Sequence, residues 1–176
     1  MFGDNIKRLD PHKHNVALLV NDEPGVFARI SNLFMKRNFN IDTITVGASN
    51  MKGMSRITLS FIGDDIQYEQ LVKQLNKLID VVKTTDLPES RAVIRELALI
   101  KVKTKSEREQ TQIMNFSNAF RANVVNVGPK EMIVQITGKT TKVDSFIELV
   151  KPMGIVEVAR TGVTAMARSN NNFEKV

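Results

Sequence analysis

The chain has 176 residues, of which 42% are hydrophobic and 25% are charged, and this balance excludes a wholly disordered or fibrous protein. It contains no cysteine, which excludes disulfides, thiol nucleophiles and cysteine-bound metals. The net charge of +6 is uneven, because residues 1–88 carry 11 basic and 10 acidic side chains whereas residues 89–176 carry 14 and 9. Such a basic excess first suggests a nucleic-acid partner.

Residues 1–13 are polar and show no periodicity, so we predict a flexible N-terminal tail there. They lack the apolar core of a signal peptide, and the chain has no run of about 18 apolar residues. We therefore expect a cytoplasmic protein that does not contact a membrane. Residues 169–176 are predicted to form a second, frayed tail.

The first half predicts the order strand, helix, strand, strand, helix, strand. Residues 14–20 form an apolar run of strand length, and turn residues follow at 21–25. Apolar residues then recur at helical spacing, and the buried face they predict is Val26, Phe27, Ile30, Leu33 and Phe34. The remaining elements are a hairpin of strands at 41–48 and 54–62, with Ile44, Val46 and Ala48 alternating, a helix from residue 63 and a strand at 81–85.

The second half repeats this order without repeating the residues. After a strand at 95–103, Ser106 and Glu109 have the spacing of a capping box at a helix start. A hairpin around residues 128–129, a helix that ends before Pro152 and a last strand complete the repeat. We predict an α+β fold of two ferredoxin-like βαββαβ domains. Their predicted bounds are residues 14–86 and 93–168, with a linker at 87–92.

No catalytic site can be assembled from these residues. His12 and His14 offer two imidazoles, but no third ligand is near in sequence, so a solvated pair is favoured over a metal site. Asp64 and Asp65 are compatible with magnesium, but acidic residues after a glycine more commonly cap a helix. We therefore assign no catalytic residue and no metal ligand.

An RNA-binding module is another interpretation of a basic ferredoxin-like fold. Such modules stack bases on aromatic side chains of the two central strands, which begin here near residues 14 and 54. The first strand has no aromatic residue, and Phe61 of the second alternates in phase with Ile57 and Leu59, as a core residue does. We therefore expect no nucleic-acid partner.

Residues 21–26, between the first strand and the first helix, are the one local feature that suggests a ligand. A helix N-terminus presents unpaired N–H groups and the positive end of the helix dipole. Gly25 allows a ligand to approach the backbone closely. A small carboxylate suits such a position, although the residues alone favour a plain strand-to-helix turn.

Several segments, in order along the chain, resemble the small regulatory subunit of acetolactate synthase, a family with an amino-acid-sensing ACT domain. They include NDEPGV at 21–26, ISNLF at 30–34, RNFNI at 37–41, ITVG at 44–47, ELALIKV at 96–102 and VEVARTG at 156–162. The resemblance covers roughly residues 14–168. It implies that residues 14–86 are an ACT domain and that residues 93–168 form a C-terminal domain of the same topology.

This resemblance implies a regulator that has no catalysis and no cofactor of its own. Its partner would be the large catalytic subunit, on which thiamine diphosphate, magnesium and FAD are expected. The chain would activate that subunit and confer feedback inhibition by valine or another branched-chain amino acid. The basic excess of residues 89–176 would then form a docking face for the partner, and Arg160–Thr161–Gly162 is a candidate contact by its position alone.

The resemblance also implies a homodimer through the ACT domains, with the effector bound between them. One chain would contribute Asp22, Gly25 and Val26, and its partner would contribute Asn40 and Ile41. Backbone N–H groups suit the effector carboxylate, side-chain oxygens its ammonium, and Ile41 its apolar side chain. Family members commonly carry asparagine where Asp22 stands. Asn40 as a helix cap and Ile41 as a core residue are the plainer interpretations.

Two other functions are open at this stage. One is a stand-alone ACT-domain amino-acid sensor that acts on a transcriptional partner, and the other is a regulatory domain detached from a different amino-acid enzyme. No helix-turn-helix or basic-helix segment is evident, which disfavours the first. The resemblance of residues 96–168 to the small subunit disfavours both.

Overall fold

A computed structural model describes residues 8–37 and 39–168, so most of the predicted tail at 1–13 and all of that at 169–176 lie outside the described residues. The chain divides into two compact units, which are Met1–Val93 with Ala165–Val176 (unit 1) and Ile94–Thr164 (unit 2). Among the described residues, no helix is long and apolar enough to cross a membrane.

Unit 1 has the predicted order of elements. They are β1 (His12–Asn21), α1 (Val26–Arg37), β2 (Ile41–Ala48), β3 (Met54–Gly63), α2 (Asp65–Leu75) and β4 (Val81–Asp86). The strands form an antiparallel sheet in the order β2-β3-β1-β4, so the two strands expected at the centre are central. Alternate residues of β1 and β3 pack against both helices, and Phe61 is a core residue with 3% of its surface exposed.

Two apolar residues of the predicted periodic patterns are exposed. Phe27 is 50% exposed because it lies at the edge of the buried stripe of α1, about 60° around the helix from the central residue of that stripe, Ile30. Val46 is 56% exposed, although it pairs with the buried Ile57, since β2 is the edge strand of the sheet. An apolar edge strand of this kind is a surface on which a second chain can pair.

The ordered part of unit 1 begins before the predicted start at residue 14. β1 starts at His12, and Arg8 and Asp65 exchange two hydrogen bonds. The Arg8 N–H donates to Asp65 Oδ2 at 2.6 Å, and the Asp65 N–H donates to the Arg8 carbonyl at 3.1 Å. The predicted linker at 87–92 is also packed, because the buried Leu87 donates its N–H to the Asn15 carbonyl. Neither contact has a local sequence signal, since the partners are more than 50 residues apart.

Unit 2 follows the same path as unit 1. Its elements are β5 (Ala92–Lys103), α3 (Glu107–Ala119), β6 (Asn123–Val127), β7 (Glu131–Gly138), α4 (Thr140–Val150), a 3-10 turn (Lys151–Met153) and β8 (Ile155–Arg160). The antiparallel sheet has the order β6-β7-β5-β8. Thus both halves have the predicted ferredoxin-like α+β architecture.

A further strand, β9 (Thr164–Ala167), pairs with β5 and was not predicted. Most of it groups with unit 1 rather than with the domain predicted at 93–168. Within unit 1 the Arg168 N–H donates to the Arg91 carbonyl at 3.0 Å, and the Arg56 guanidinium donates to the Ala165 carbonyl at 2.9 Å. These backbone contacts leave no periodic pattern in a four-residue strand.

The helix caps differ slightly from the prediction. Ser106 Oγ accepts the Glu109 N–H at 3.3 Å as expected, but the Glu109 carboxylate accepts the N–H of Lys105 instead of that of Ser106. A complete capping box occurs at α2, where Asp64 and Gln67 satisfy each other's backbone N–H groups. Asp64 is therefore a cap, as predicted, whereas Asp65 faces other partners.

Arg160 and Thr161 hold the end of β8 onto β5. The Arg160 guanidinium donates to both oxygens of Glu96, which is 2% exposed, and to Asp144, and these contacts raise the pKa of Arg160. Thr161 bonds to the Leu97 carbonyl through its N–H at 3.0 Å and its hydroxyl at 3.3 Å. This segment, considered above as a partner contact, therefore has a structural role within unit 2.

Replacing Arg160 with methionine should destabilise unit 2, because it leaves the Glu96 carboxylate buried without its cation. The expected loss is about 3 kcal/mol in the free energy of unfolding, measured by urea denaturation at pH 7. Lys151→Met is the matched control, since Lys151 pairs with Glu148 where both side chains are more than 60% exposed. That change should cost less than about 1 kcal/mol. Equal losses in the two variants would contradict a structural role for the Arg160–Glu96 pair.

Candidate effector-binding site

The turn between β1 and α1 has the backbone geometry that an anion site requires. Gly25 has φ +88°, a left-handed conformation that glycine adopts without strain, and its carbonyl accepts the first helical hydrogen bond from Arg29 N–H at 3.0 Å. The first turn of α1 contains no acidic residue, so no side chain of that turn neutralises the helix dipole. The Val26 N–H makes a long hydrogen bond of 3.3 Å to the Glu23 carbonyl. A carboxylate oxygen is a stronger acceptor that can compete for it.

Arg29 is a site residue that the sequence pattern does not reveal, because a charged residue outside the apolar positions of α1 is expected to face solvent. Its Nε and Nη2 donate to the buried Asp80 carboxylate at 2.6 and 2.8 Å, and this contact holds the pKa of Asp80 below its usual range. Its Nη1 lies 3.2 Å from the position that a Cβ on Gly25 would occupy. The spacing of four residues between Gly25 and Arg29 was the available signal. The guanidinium therefore places its Nη1 donor beside the turn, while Asp80 balances its charge.

Asp22 lies at the same end of the sheet, tied to the β2–β3 hairpin. Its N–H donates to the Gly53 carbonyl at 3.0 Å, and its Oδ1 accepts from the Ser55 hydroxyl at 3.1 Å. The side chain is nonetheless exposed. Asp22, Gly25 and Val26 are thus brought together, and a small zwitterion here would meet a carboxylate as well as backbone donors.

Asn40 and Ile41 lie at the opposite end of the same sheet. Ile41 begins β2 and pairs with Phe61 of β3, which in turn pairs with His14 of β1. His14 is seven residues from Asn21, so the start of β2 lies about 23 Å from the turn along the strand direction. One chain therefore does not bring the two halves of the predicted site together.

The plainer interpretations of these two residues fare differently. The Phe39 N–H donates to the Phe34 carbonyl at 3.1 Å and closes the end of α1, so a backbone group fills the role considered for Asn40. Asn40 itself is exposed. Ile41 is partly buried and packs against the core of unit 1, so it contributes to the core while one side of it is accessible.

Comparisons with known protein families account for both units. Residues 16–83 match the family described as "AHAS small subunit-like ACT domain". Residues 95–169 match the family described as "Small subunit of acetolactate synthase". The two matches follow each other along the chain and leave only its ends and the segment between them uncovered.

Individual relatives match over nearly the whole chain. The acetolactate synthase small subunit of Bacillus subtilis is 47% identical over 89% of this chain and 91% of its own length. That of Aquifex aeolicus is 45% identical over 93% of this chain and 85% of its own length. A crystal structure of the small subunit from Thermotoga maritima superposes with a TM-score of 0.85 at 40% identity, covering 91% of this chain and 99% of that one.

Proposed function

This chain belongs to the family of acetolactate synthase small subunits, and on that premise we propose that it is a non-catalytic regulator of a large catalytic subunit. It activates that subunit and gives it feedback inhibition by valine or a related branched-chain amino acid. The observation that carries the proposal is the turn at Gly25. There the first turn of α1 has no acidic residue, and the Arg29 guanidinium lies beside Gly25. Thiamine diphosphate, magnesium and FAD belong to the catalytic partner in this proposal.

The turn has complementary groups for both charges of an amino acid. The effector carboxylate binds the N–H groups of Gly25 and Val26, helped by the dipole of α1 and by the Nη1 donor of Arg29. Its ammonium is attracted by the Asp22 carboxylate, which the Ser55 hydroxyl orients at 3.1 Å. Within one chain, the apolar wall at Ile41 is too far away to contact the same molecule. We therefore propose that Ile41 of a second chain recognises the apolar side chain of the effector.

We infer a two-fold dimer that pairs the β2 edges of two chains in antiparallel fashion. Such pairing extends the sheet and sets the start of β2 of one chain beside the end of β2 of the other. The end of β2 is also the end of the sheet where Asn21 and Asp22 lie, because Ala48 pairs with Ser55 and Asn21 pairs with Met54. Two equivalent effector sites per dimer follow from the symmetry. The exposure of Val46 on an edge strand supports this arrangement.

Feedback follows from a site that two chains complete. An effector that contacts both chains binds one arrangement of the dimer more tightly, so it shifts the population toward that arrangement by its difference in affinity. The catalytic subunit senses this shift through the surface on which it docks. We propose that this surface lies on unit 2, within the basic excess of residues 89–176.

Gly25→Asp should abolish feedback while leaving activation nearly intact. The new carboxylate would pair with Arg29 and occupy the position of the effector carboxylate. We expect the valine concentration for half-inhibition of the reconstituted enzyme to rise at least about ten-fold, while activation changes less than about two-fold. The measurement is acetolactate formation by the catalytic subunit with and without the variant chain.

Gly154→Asp is the matched control, because Gly154 also has a positive φ (+98°) but lies in unit 2 beside the flexible Lys103 side chain. Because an aspartate at either glycine strains the backbone, the Gly154→Asp variant shows the effect of strain without loss of the anion site. Its valine sensitivity should stay at the wild-type value. The Gly25→Asp chain should have the same melting temperature as the Gly154→Asp control. If it then loses activation together with feedback, the result would contradict separate sensing and activating surfaces. Activation by the chain without any valine response in the wild type would instead favour a different effector.

Asp22→Asn should weaken valine binding about five-fold, because the charge facing the ammonium is removed while the oxygen that accepts from Ser55 is retained. Glu23→Gln removes the same charge from the adjacent exposed residue and should change affinity by less than about two-fold. Isothermal titration of the dimer with valine measures both. Tighter binding by Asp22→Asn would contradict the assignment, since it would put Asp22 beside the effector carboxylate.

A further inference from the structure

The starts of β1 and α2 bring two imidazoles and a carboxylate together in unit 1. Nε2 of His12 lies 3.3 Å, and Nε2 of His14 lies 3.9 Å, from Oδ1 of Asp65. One possible ligand atom from each of the three residues lies within 4.8 Å of the other two. Two ligands at ordinary zinc distances in a tetrahedral site are about 3.4 Å apart. The three atoms therefore have nearly the spacing of ligands of a single ion.

We propose that unit 1 binds one divalent transition-metal ion, with Zn²⁺ as the best-suited ion, through His12, His14 and Asp65. Two imidazoles and one carboxylate are a donor set that zinc accepts, with water in the fourth position. The sequence pattern disfavoured a metal because His12 and His14 had no third ligand. The antiparallel pairing of His12 with Gly63 supplies that ligand, since Asp65 is two residues beyond Gly63.

The surroundings of His12 and Asp65 orient the atoms that would bind the ion. Nδ1 of His12 lies 2.9 Å from the Asp10 carbonyl, which can only accept, so Nδ1 carries a proton and Nε2, which faces Asp65, is the ring atom that would bind an ion. Oδ2 of Asp65 accepts the Arg8 N–H at 2.6 Å, which leaves Oδ1 for the imidazoles. Such outer contacts to the far atom of each ligand are typical of protein metal sites.

His14 is held by packing and is suited to bind as a neutral imidazole. Its ring stacks on Tyr68 with centroids 4.3 Å apart and planes 6° from parallel, and its side chain is only 9% exposed. Burial lowers the pKa of His14, and the neutral ring is the form that a metal binds. Nε2 also lies 3.1 Å from the Gly63 carbonyl. Binding the ion there moves the proton to Nδ1 without changing the charge of the ring.

The alternative is a metal-free ion pair between a protonated His12 and Asp65. The two possibilities predict different behaviour toward zinc, and the composition of the chain makes them separable. It has two histidines and no cysteine, so any imidazole coordination must come from His12 or His14. The site shares no residue with the proposed effector site and lies at the end of the sheet opposite the Gly25 turn, so zinc binding tests this proposal without depending on the proposed regulatory function.

The test is titration of the untagged, full-length chain with zinc chloride, followed by calorimetry and by ¹⁵N–¹H spectra of the two imidazoles. We expect saturable binding of one ion per chain and shifts of both imidazole signals. Asp65→Asn should weaken binding at least about ten-fold. Asp64→Asn is the matched control, because it removes the same charge one residue away while asparagine still caps α2, and it should change affinity by less than about three-fold.

Three results would overturn the proposal. The first is zinc binding that does not saturate, and the second is imidazole signals that do not shift when zinc is added. The third is an equal loss of zinc affinity in Asp64→Asn and Asp65→Asn, because an equal loss would indicate diffuse attraction of zinc to acidic residues. Circular dichroism establishes that each variant is folded. His12→Gln serves as a second variant, since His12 is partly exposed, and it should weaken zinc binding as strongly as Asp65→Asn.

Discussion

The register between β1 and β3 is the constraint on which the chemistry of unit 1 depends. Ten consecutive residues of each strand pair, from His12 with Gly63 to Asn21 with Met54. At one end this ladder sets the start of α2 beside the two histidines, and at the other it sets the β2–β3 hairpin beside Asp22. Because the ladder is about 30 Å long, a ligand of amino-acid size cannot contact both ends of it. The register therefore separates the Gly25 turn from Ile41 within one chain, which is why the proposed effector site includes a second chain.

Unit 2 repeats the architecture of unit 1 but not its polar ends. Both units bury one sheet face under two helices, because a ferredoxin-like unit forms its core in this way. This requirement fixes which positions are buried in both units, but it does not fix the residue type at each position. In unit 2 the polar groups near the ends of the central strand serve stability, as the Glu96–Arg160 pair does. The proposed sensing residues lie in unit 1, and the basic excess lies in the half of the chain that contains unit 2. This separation is consistent with the proposed division between sensing and docking.

Much of the fold could be predicted from local patterns, because hydrophobic periodicity and turn residues act over a few positions. The patterns failed where a distant partner decides the outcome. Val46 alternates like a core residue but lies on an edge strand, and its exposure depends on a sheet order that periodicity does not encode. Arg29 and Asp65 have partners about 50 residues away, Asp80 and His12 respectively, so no spacing rule could reveal these two pairings. The grouping of Asp22, Gly25 and Val26 was predictable, whereas their separation from Ile41 required the register.

The most direct measurement is the valine-binding capacity of mixed dimers of Gly25→Asp and Asn40→Lys chains. Each variant alone damages one half of both sites, because the new aspartate blocks the carboxylate position and the exposed lysine repels the ammonium. A mixed dimer retains one intact site, made from the undamaged half of each chain. An equilibrated equimolar mixture should therefore recover about a quarter of the wild-type capacity, while neither variant alone binds valine. No recovery in the mixture, with both variants folded and dimeric, would contradict an effector site shared between two chains.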